Sequence, residues 1–138
     1  MTGTDEREAK QDIGEVLVRY CTGIDRRDWD LFRSCFTEDC HADYGDVGKW
    51  DSAGAITEFM AATHAPMGHT LHRLSNVAVT VDGDRAEARS YVDAILMAAG
   101  GNSGINAYGW YDDTLTRTPD GWRIARRHFT MVNFGSVG

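Results

Sequence analysis

Residues 76–97, NVAVTVDGDRAEARSYVDAILM, decide the fold. Val77, Val79 and Val81 alternate with Asn76, Ala78 and Thr80, the turn Asp82-Gly83-Asp84 follows, and a second alternating run extends from Ala86 to Met97. Two runs of period two joined by a glycine-containing turn predict a long antiparallel hairpin. Downstream, a glycine-rich connection from Ala99 to Gly104 precedes a third strand over Asn106–Thr116, and Pro119-Asp120-Gly121 turns into a fourth over Trp122–Phe134. Upstream the period is helical. Ile13, Val16, Leu17, Tyr20 and Ile24 recur at three- and four-residue spacing in a helix that opens at Thr4 among acidic residues and ends near Gly23 and the charged run Asp25 to Asp28. Trp29, Phe32 and Phe36 mark a second, shorter helix; His41–Tyr44 is short and extended, and Gly45–Gly48 is a turn. Asp51 or Ser52 caps a third helix that runs through Ile56, Phe59 and Met60 toward His64 and is stopped by Pro66 and Gly68. Helices followed by an antiparallel meander define an α+β chain: three N-terminal helices on a curved, mainly antiparallel sheet, with loose ends near 1–5 and 135–138.

At 138 residues, 42% of them hydrophobic, the chain suits one domain, 1–138, with its own core. A net charge of −7 repels phosphate backbones and anionic membranes, and no basic cluster is larger than Arg126-Arg127 or Arg26-Arg27, so neither nucleic acid nor membrane is an expected partner. The first twelve residues, MTGTDEREAKQD, lack an apolar core of the signal-peptide kind, and no stretch approaches the ~20 apolar residues of a membrane span. A soluble, cytoplasmic protein is expected. Cys21, Cys35 and Cys40 are odd in number and without paired spacing, so reduced thiols are expected. His69 and His72 alternate off one strand face with no Cys or Glu at ligand spacing, and Gly100, Gly101 and Gly104 sit between strands rather than in a phosphate cradle. Neither a metal nor an organic cofactor is expected.

Long strands on amphipathic helices leave a sheet face that curvature can wrap into an apolar pocket with a few placed polar groups. Polar residues at otherwise apolar positions are therefore the candidates. Tyr20 continues the Ile13, Val16, Leu17 series, either as a structural tyrosine with its hydroxyl at the surface or as a pocket donor. Asp25 stands where the helix ends, a poor place for a carboxylate beside the negative end of the macrodipole; a salt bridge or a turn role competes with catalysis there. His72 shares a strand face with Leu74, Asn76 and Ala78, which turns its imidazole inward while Arg73 and Ser75 point away. If Asp25 and His72 meet, the carboxylate fixes the imidazole tautomer and leaves the other ring nitrogen as a general base. Tyr20 can then donate to a leaving hydroxyl or polarise a carbonyl, which completes a set for removing H and OH across a carbon–carbon bond. Asp93, on a strand with Tyr91 and Ile95, is either a further pocket carboxylate or an exposed sheet residue.

Three strings, YCTGIDRRDWDLF from Tyr20 to Phe32, HRLSN from His72 to Asn76 and GWRIARR from Gly121 to Arg127, resemble the SnoaL-like branch of the nuclear-transport-factor-2-like superfamily. The resemblance spans nearly the whole chain and implies a cone-shaped α+β barrel. Scytalone dehydratase, bile-acid 7α-dehydratase and hexachlorocyclohexane dehydrochlorinase in that branch use a His–Asp pair to abstract a carbon-bound proton, and Asp25 and His72 fall at the positions of that pair. Tyr20 and Tyr44 match pocket tyrosines of the bile-acid enzyme, and Arg127 falls at a pocket arginine of the dehydrochlorinase. Three departures narrow the analogy. The dehydrochlorinase has lysine where Tyr20 stands, scytalone dehydratase has a second histidine on the strand where Asp93–Met97 has none, and ketosteroid isomerases of this fold keep a carboxylate near Tyr44. The resemblance implies a cofactor-independent lyase of the dehydratase or hydratase kind, with Tyr44 and Arg127 binding substrate, and Asp93, from its place on the strand, is the further candidate for substrate binding. The substrate this implies is a hydrophobic, cyclic, steroid-like or polyketide-like molecule. An isomerase or cyclase, a non-catalytic binding or assembly module, and the small subunit of an aromatic-ring dioxygenase are the alternatives. A homodimer through the open sheet face of the Trp110 and Trp122 strands is also implied.

Overall fold

The computed structural model describes residues 2–138. Helix α1, Gly3–Arg26, opens on a capping box in which the Thr2 hydroxyl accepts from the Asp5 amide at 3.1 Å and the Asp5 carboxylate accepts from the Thr2 amide at 3.4 Å. It closes on Arg27 in the left-handed conformation, φ 58°. The expected apolar face is buried from Ala9 through Ile13, Leu17 and Tyr20 to Ile24. Helix α2, Trp29–Arg33, begins on Asp28, whose carboxylate accepts from the Leu31 amide at 3.1 Å. The two helices touch backbone to backbone: a Cβ on Gly23 would stand 2.8 Å from the Phe32 nitrogen.

Phe36 does not continue α2 as its spacing predicts. It opens strand β1, Phe36–Asp43, where it pairs with Ile124, so the expected short extended segment is a full strand. A single 3-10 turn at Gly45–Val47 leads to a two-residue strand β2, Lys49–Trp50, for which the sequence carries no signal. Helix α3, Ala53–His64, starts on Ser52, whose hydroxyl accepts from the Ala55 amide at 3.0 Å.

Four long strands follow: β3 Met67–Asp82, β4 Arg85–Ala98, β5 Gly104–Thr118 and β6 Gly121–Val137. The sheet order is β2-β1-β6-β5-β4-β3, antiparallel throughout except where β1 runs parallel to β6. The result is a mixed, curved, unclosed sheet under three helices, the α+β cone expected. Of the ends expected to be loose, residue 1 lies outside the described residues, residues 3–5 form the first turn of α1, and Gly135–Val137 pair with β5.

Bulges set which side chains face the helices. In β3 the register slips between Ser75 and Ala78, with Asn76 at φ 51°. Thr70, His72 and Leu74 face inward before the bulge and Val79 and Val81 after it, so the face predicted to continue through Asn76 and Ala78 ends at Leu74. A second slip, between Thr114 and Leu115 against β6, brings both Trp122 and Ile124 to the inner face along with Arg127 and Phe129. Trp122 is therefore core, with the Arg117 guanidinium 4.8 Å from its ring, and cannot belong to an outer dimer face. Trp110 does lie outside, under Arg89 at 5.2 Å. No helix among the described residues is long and apolar enough to cross a membrane.

Candidate active site

The last turn of α1 delivers Asp25 against the beginning of β3. One carboxylate oxygen, Oδ2, accepts from the backbone N–H of His72 at 2.7 Å. The other, Oδ1, accepts from the Thr70 hydroxyl at 2.9 Å and faces Nδ1 of His72 at 2.8 Å. An ionised carboxylate only accepts, so Nδ1 carries the imidazole proton and Nε2 presents a lone pair. Both side chains are withdrawn from solvent, His72 at 8% exposure and Asp25 at 17%.

Arg27 offsets the negative end of the helix beside which Asp25 sits. Its left-handed backbone turns the guanidinium back so that Nη1 donates to the Ile24 carbonyl at 3.0 Å and to the Thr70 hydroxyl at 2.8 Å, while Nη2 donates to the Gly68 carbonyl at 2.7 Å. Arg27 thereby ties α1 to the start of β3 and orients the Thr70 hydroxyl toward Asp25. The salt bridge to a neighbouring arginine that competed as an explanation of Asp25 is absent among the described residues.

His72 opens onto a cavity of about 210 Å³ walled by Ile24, Phe59, Met60, Val92, Leu96 and Phe129, with the rings of Tyr20, Tyr44 and Tyr111 also on its lining. The Tyr20 and Tyr44 hydroxyls are hydrogen-bonded at 2.7 Å. Burial pushes the phenols of Tyr20 and Tyr111 well above their ordinary range, reinforced by their neighbouring tyrosines, and burial raises Tyr44 against the opposing pull of Arg127. These hydroxyls stay protonated and serve as donors.

Behind the phenols lies Arg127, its guanidinium carbon 3.7 Å from the centre of the Tyr111 ring and 4.3 Å from that of Tyr20. It forms a bidentate pair with Asp113, Nε to Oδ1 at 2.7 Å and Nη2 to Oδ2 at 2.9 Å, with both side chains fully buried. Burial acts to lower Arg127, but Asp113 and the surrounding tyrosines outweigh it and hold the guanidinium charged; burial raises the Asp113 carboxyl against the pull of Arg127. Arg127 is thus one layer beneath the cavity wall, a support for the tyrosines, and the expected direct contact with substrate is corrected accordingly.

Asp93 is not a pocket carboxylate. It lies on the outer face of β4, 44% exposed, and pairs with Arg73 across the strands at 2.8 Å. The inner face of β4 belongs to Ala86, Ala88, Ser90, Val92 and Ala94.

The site also contains residues the sequence reading passed over. Thr70 and Arg27 carry no periodic signal. Asp113 alternates with buried Tyr111 and Leu115, and that alternation marks it as an inward acid. His64 ends the buried stripe Ala53, Ile56, Met60 of α3 and lines the cavity; its Nδ1 lies 2.8 Å from the Met60 carbonyl, and burial pushes it down to about 4. No group of three or more His, Cys, Asp or Glu placed to hold a metal occurs among the described residues. Cys21, Cys35 and Cys40 are free and buried, and burial pushes their thiols up, to about 12, 12 and 11.

Residues 5–128 match the model of the SnoaL-like domain. The chain belongs to the SnoaL-like family. An uncharacterized protein of Mycobacterium tuberculosis is 35% identical over 129 residues, covering 92% of this SnoaL-like chain and 88% of its own. Among solved structures, a Novosphingobium aromaticivorans protein provisionally assigned as an aromatic ring hydroxylase is 28% identical with a TM-score of 0.86, covering 94% of both chains. A second protein of that organism, provisionally assigned as a scytalone dehydratase, is 23% identical with a TM-score of 0.89, covering 100% of this chain and 93% of its own. A hexachlorocyclohexane dehydrochlorinase is 19% identical with a TM-score of 0.81, covering 98% and 90%. At those identities the last two establish the shared fold. Membership and fold support a small-molecule-binding or enzymatic role for this SnoaL-like protein.

Proposed function

We propose that the protein is a cofactor-independent lyase of the dehydratase or hydratase type, acting on a hydrophobic cyclic molecule bound in the 210 Å³ cavity. One observation carries the reading: the Asp25–His72 pair, bonded at 2.8 Å, turns a bare Nε2 toward an apolar cavity that also presents the Tyr20–Tyr44 hydroxyl pair. Nε2 takes a proton from carbon, and the C–H electron pair becomes the new C=C bond. As the C–O bond breaks, its pair leaves on oxygen, and the imidazolium returns the same proton to release water. Asp25 stabilises the imidazolium while it exists. The phenols, held protonated by burial, donate hydrogen bonds to the oxygen that gathers negative charge rather than surrendering a proton. Hydration is the same path reversed.

Two neighbours that share the fold bear the names of elimination enzymes, a provisionally assigned scytalone dehydratase and a hexachlorocyclohexane dehydrochlorinase, which is in keeping with this reading. The test is a screen of cyclic β-hydroxy ketones for loss of water, followed by His72→Ala on any substrate found. A loss of about 10³-fold or more in kcat/KM is expected, and full turnover by the variant would sink the reading. Binding of the same compounds without turnover by the wild type would point instead to a binding module. We propose further that the chain forms a homodimer through the outer sheet face, where Leu71, Tyr91, Tyr108 and Val132 are exposed. A monomeric mass by light scattering refutes that.

A further inference from the structure

A polar atom that is buried without a partner forfeits the hydrogen bonds it makes in water, and native structures hold few of them. Nε2 of His64 is one, on a side chain 4% exposed. Its position is set by three features. The ring lies at the C-terminal end of α3 on the helix's buried stripe. It lines the same cavity as His72, the two ring centres 6.4 Å apart. Its other nitrogen, Nδ1, is bound back to the helix at the Met60 carbonyl, 2.8 Å away. A carbonyl only accepts, so Nδ1 holds the proton and Nε2 must be a lone pair. Burial keeps the ring neutral well below the range where a histidine ordinarily gains its second proton, so this tautomer persists at neutral pH.

The lining around this atom is apolar or donating. Ile24, Met60, Val92 and Leu96 offer nothing to a lone pair, and no phenol or other polar group of the described residues lies within hydrogen-bond reach of it. The occupant of the cavity is thus placed to supply the donor that the protein does not.

We propose that Nε2 of His64 is an acceptor subsite for a hydroxyl of the ligand, so that the cavity selects a hydroxylated apolar molecule over a hydrocarbon of the same shape. The inference rests on the cavity being a ligand site but not on the chemistry at His72. The ligand class it names carries one hydroxyl donor toward α3 and presents its reacting carbon to His72 about one ring's width away. A site built to bond a hydroxyl discriminates strongly against an analogue lacking it, because the acceptor is then left buried and unpaired.

The test compares 2-naphthol with 2-methylnaphthalene, which differ by hydroxyl against methyl. Calorimetry on the wild type should show 2-naphthol binding about tenfold tighter or more. His64→Leu should abolish that preference through loss of 2-naphthol affinity while 2-methylnaphthalene changes by no more than about twofold, and His64→Gln, whose amide oxygen also accepts, should restore part of it. In ¹⁵N-histidine-labelled wild type, 2-naphthol should shift the unprotonated Nε2 resonance of His64 and 2-methylnaphthalene should leave it in place. That titration decides the matter if His64→Leu does not fold. Equal affinities for the two probes, no binding of either, a preference undiminished in His64→Leu, or a protonated Nε2 in the free protein overturns the proposal. Full turnover by His72→Ala would remove the lyase reading and leave the hydroxyl preference standing, so the two fail separately.

Discussion

Asp25→Asn is the substitution with the most to say, because it changes no volume and reverses one hydrogen-bonding sense. The carboxylate accepts from three donors, the His72 amide at 2.7 Å, the Thr70 hydroxyl at 2.9 Å and Nδ1–H of His72 at 2.8 Å. Asparagine has one oxygen and one NH₂ for these two positions. The backbone amide cannot change its role, so the side-chain oxygen must stay with it, and NH₂ must then face Nδ1. Two donors cannot oppose each other at that distance, which forces the ring to move its proton to Nε2. The base is lost while the fold remains. Turnover of any substrate should fall by about 10³ to 10⁴, the scale expected when a catalytic histidine is held in the wrong tautomer. Stability should fall by about 1.5–3 kcal/mol, the worth of a hydrogen bond to a charged group, since new bonds to NH₂ replace part of what is lost. The tautomer itself is read without a substrate, from the two ring ¹⁵N shifts of His72. A wild type with Nδ1 protonated and a variant with Nε2 protonated is the expected pair. A variant that keeps a bare Nε2, or keeps its turnover, refutes the reasoning.

Three further outcomes are expected. Asp113→Leu leaves the Arg127 charge fully buried and should cost about 3–5 kcal/mol in urea unfolding, whereas the double variant with Arg127→Met should recover most of it; a double variant no more stable than the single would contradict the account. Gly23→Ala drives a Cβ to within 2.8 Å of the Phe32 nitrogen and 2.9 Å of its Cα, both backbone atoms, so a loss of about 1–3 kcal/mol is expected, and an unchanged Tm would show that α2 can shift. His64 has a folded value of about 4 against 6.5 for an unperturbed histidine, so the unfolded chain binds the extra proton between those values. Its contribution is therefore complete above pH 6.5 and is lost as pH falls toward 4, up to about 3 kcal/mol at ~1.4 per unit. The wild type should lose more stability than His64→Leu across that window, and parallel curves would exclude it.

Alternation made the β3–β4 hairpin legible, and the three- and four-residue spacing of Ile13, Leu17, Tyr20 and Ile24 made α1 legible, because each signal is local. The pairing of β1 with β6 is not local: Phe36 and Ile124 lie at opposite ends of the chain, and Phe36 continues a helical spacing that the sheet overrides. The misreading of Asp93 and the silence on Asp113 have one cause. Large apolar neighbours, Tyr91 and Ile95, suggested an inner face for β4, yet the inner face there is made of alanines, serine and a valine, the bulkier residues being outside. On β5 the large residues Tyr111 and Leu115 are inside, and Asp113 goes with them. Trp122 shows the same limit from another direction, because the bulge that buries it is a two-strand property. Asp25 looks unfavourable from the sequence, which shows the helix end but not the donors that Thr70 and His72 of β3 bring to its carboxylate from 45 and 47 residues away.

The arrangement divides acid–base labour unevenly, and that unevenness carries the functional argument. Three phenols, two histidines, Arg127 and the carboxylates of Asp25 and Asp113 line or support the cavity, and their environments keep most of them from exchanging protons. The phenols are held protonated by burial although Arg127 lies against them. Arg127 is held charged by Asp113, and His64 is held neutral by burial and pinned by Met60. Only His72 combines a tautomer fixed by a carboxylate, a bare nitrogen and a place on the cavity wall. A site with one mobile proton and several fixed donors cannot run a reaction that needs a separate acid and base of matched strength. It can remove a proton from carbon, stabilise the charge that develops on a neighbouring oxygen, and hand the same proton back. Elimination of water toward the same face is such a reaction, and so is its reverse. If a substrate is found whose hydrogen and hydroxyl leave from opposite faces of the ring, one imidazole cannot serve both ends, and a second proton carrier must be sought among the groups assigned here as fixed.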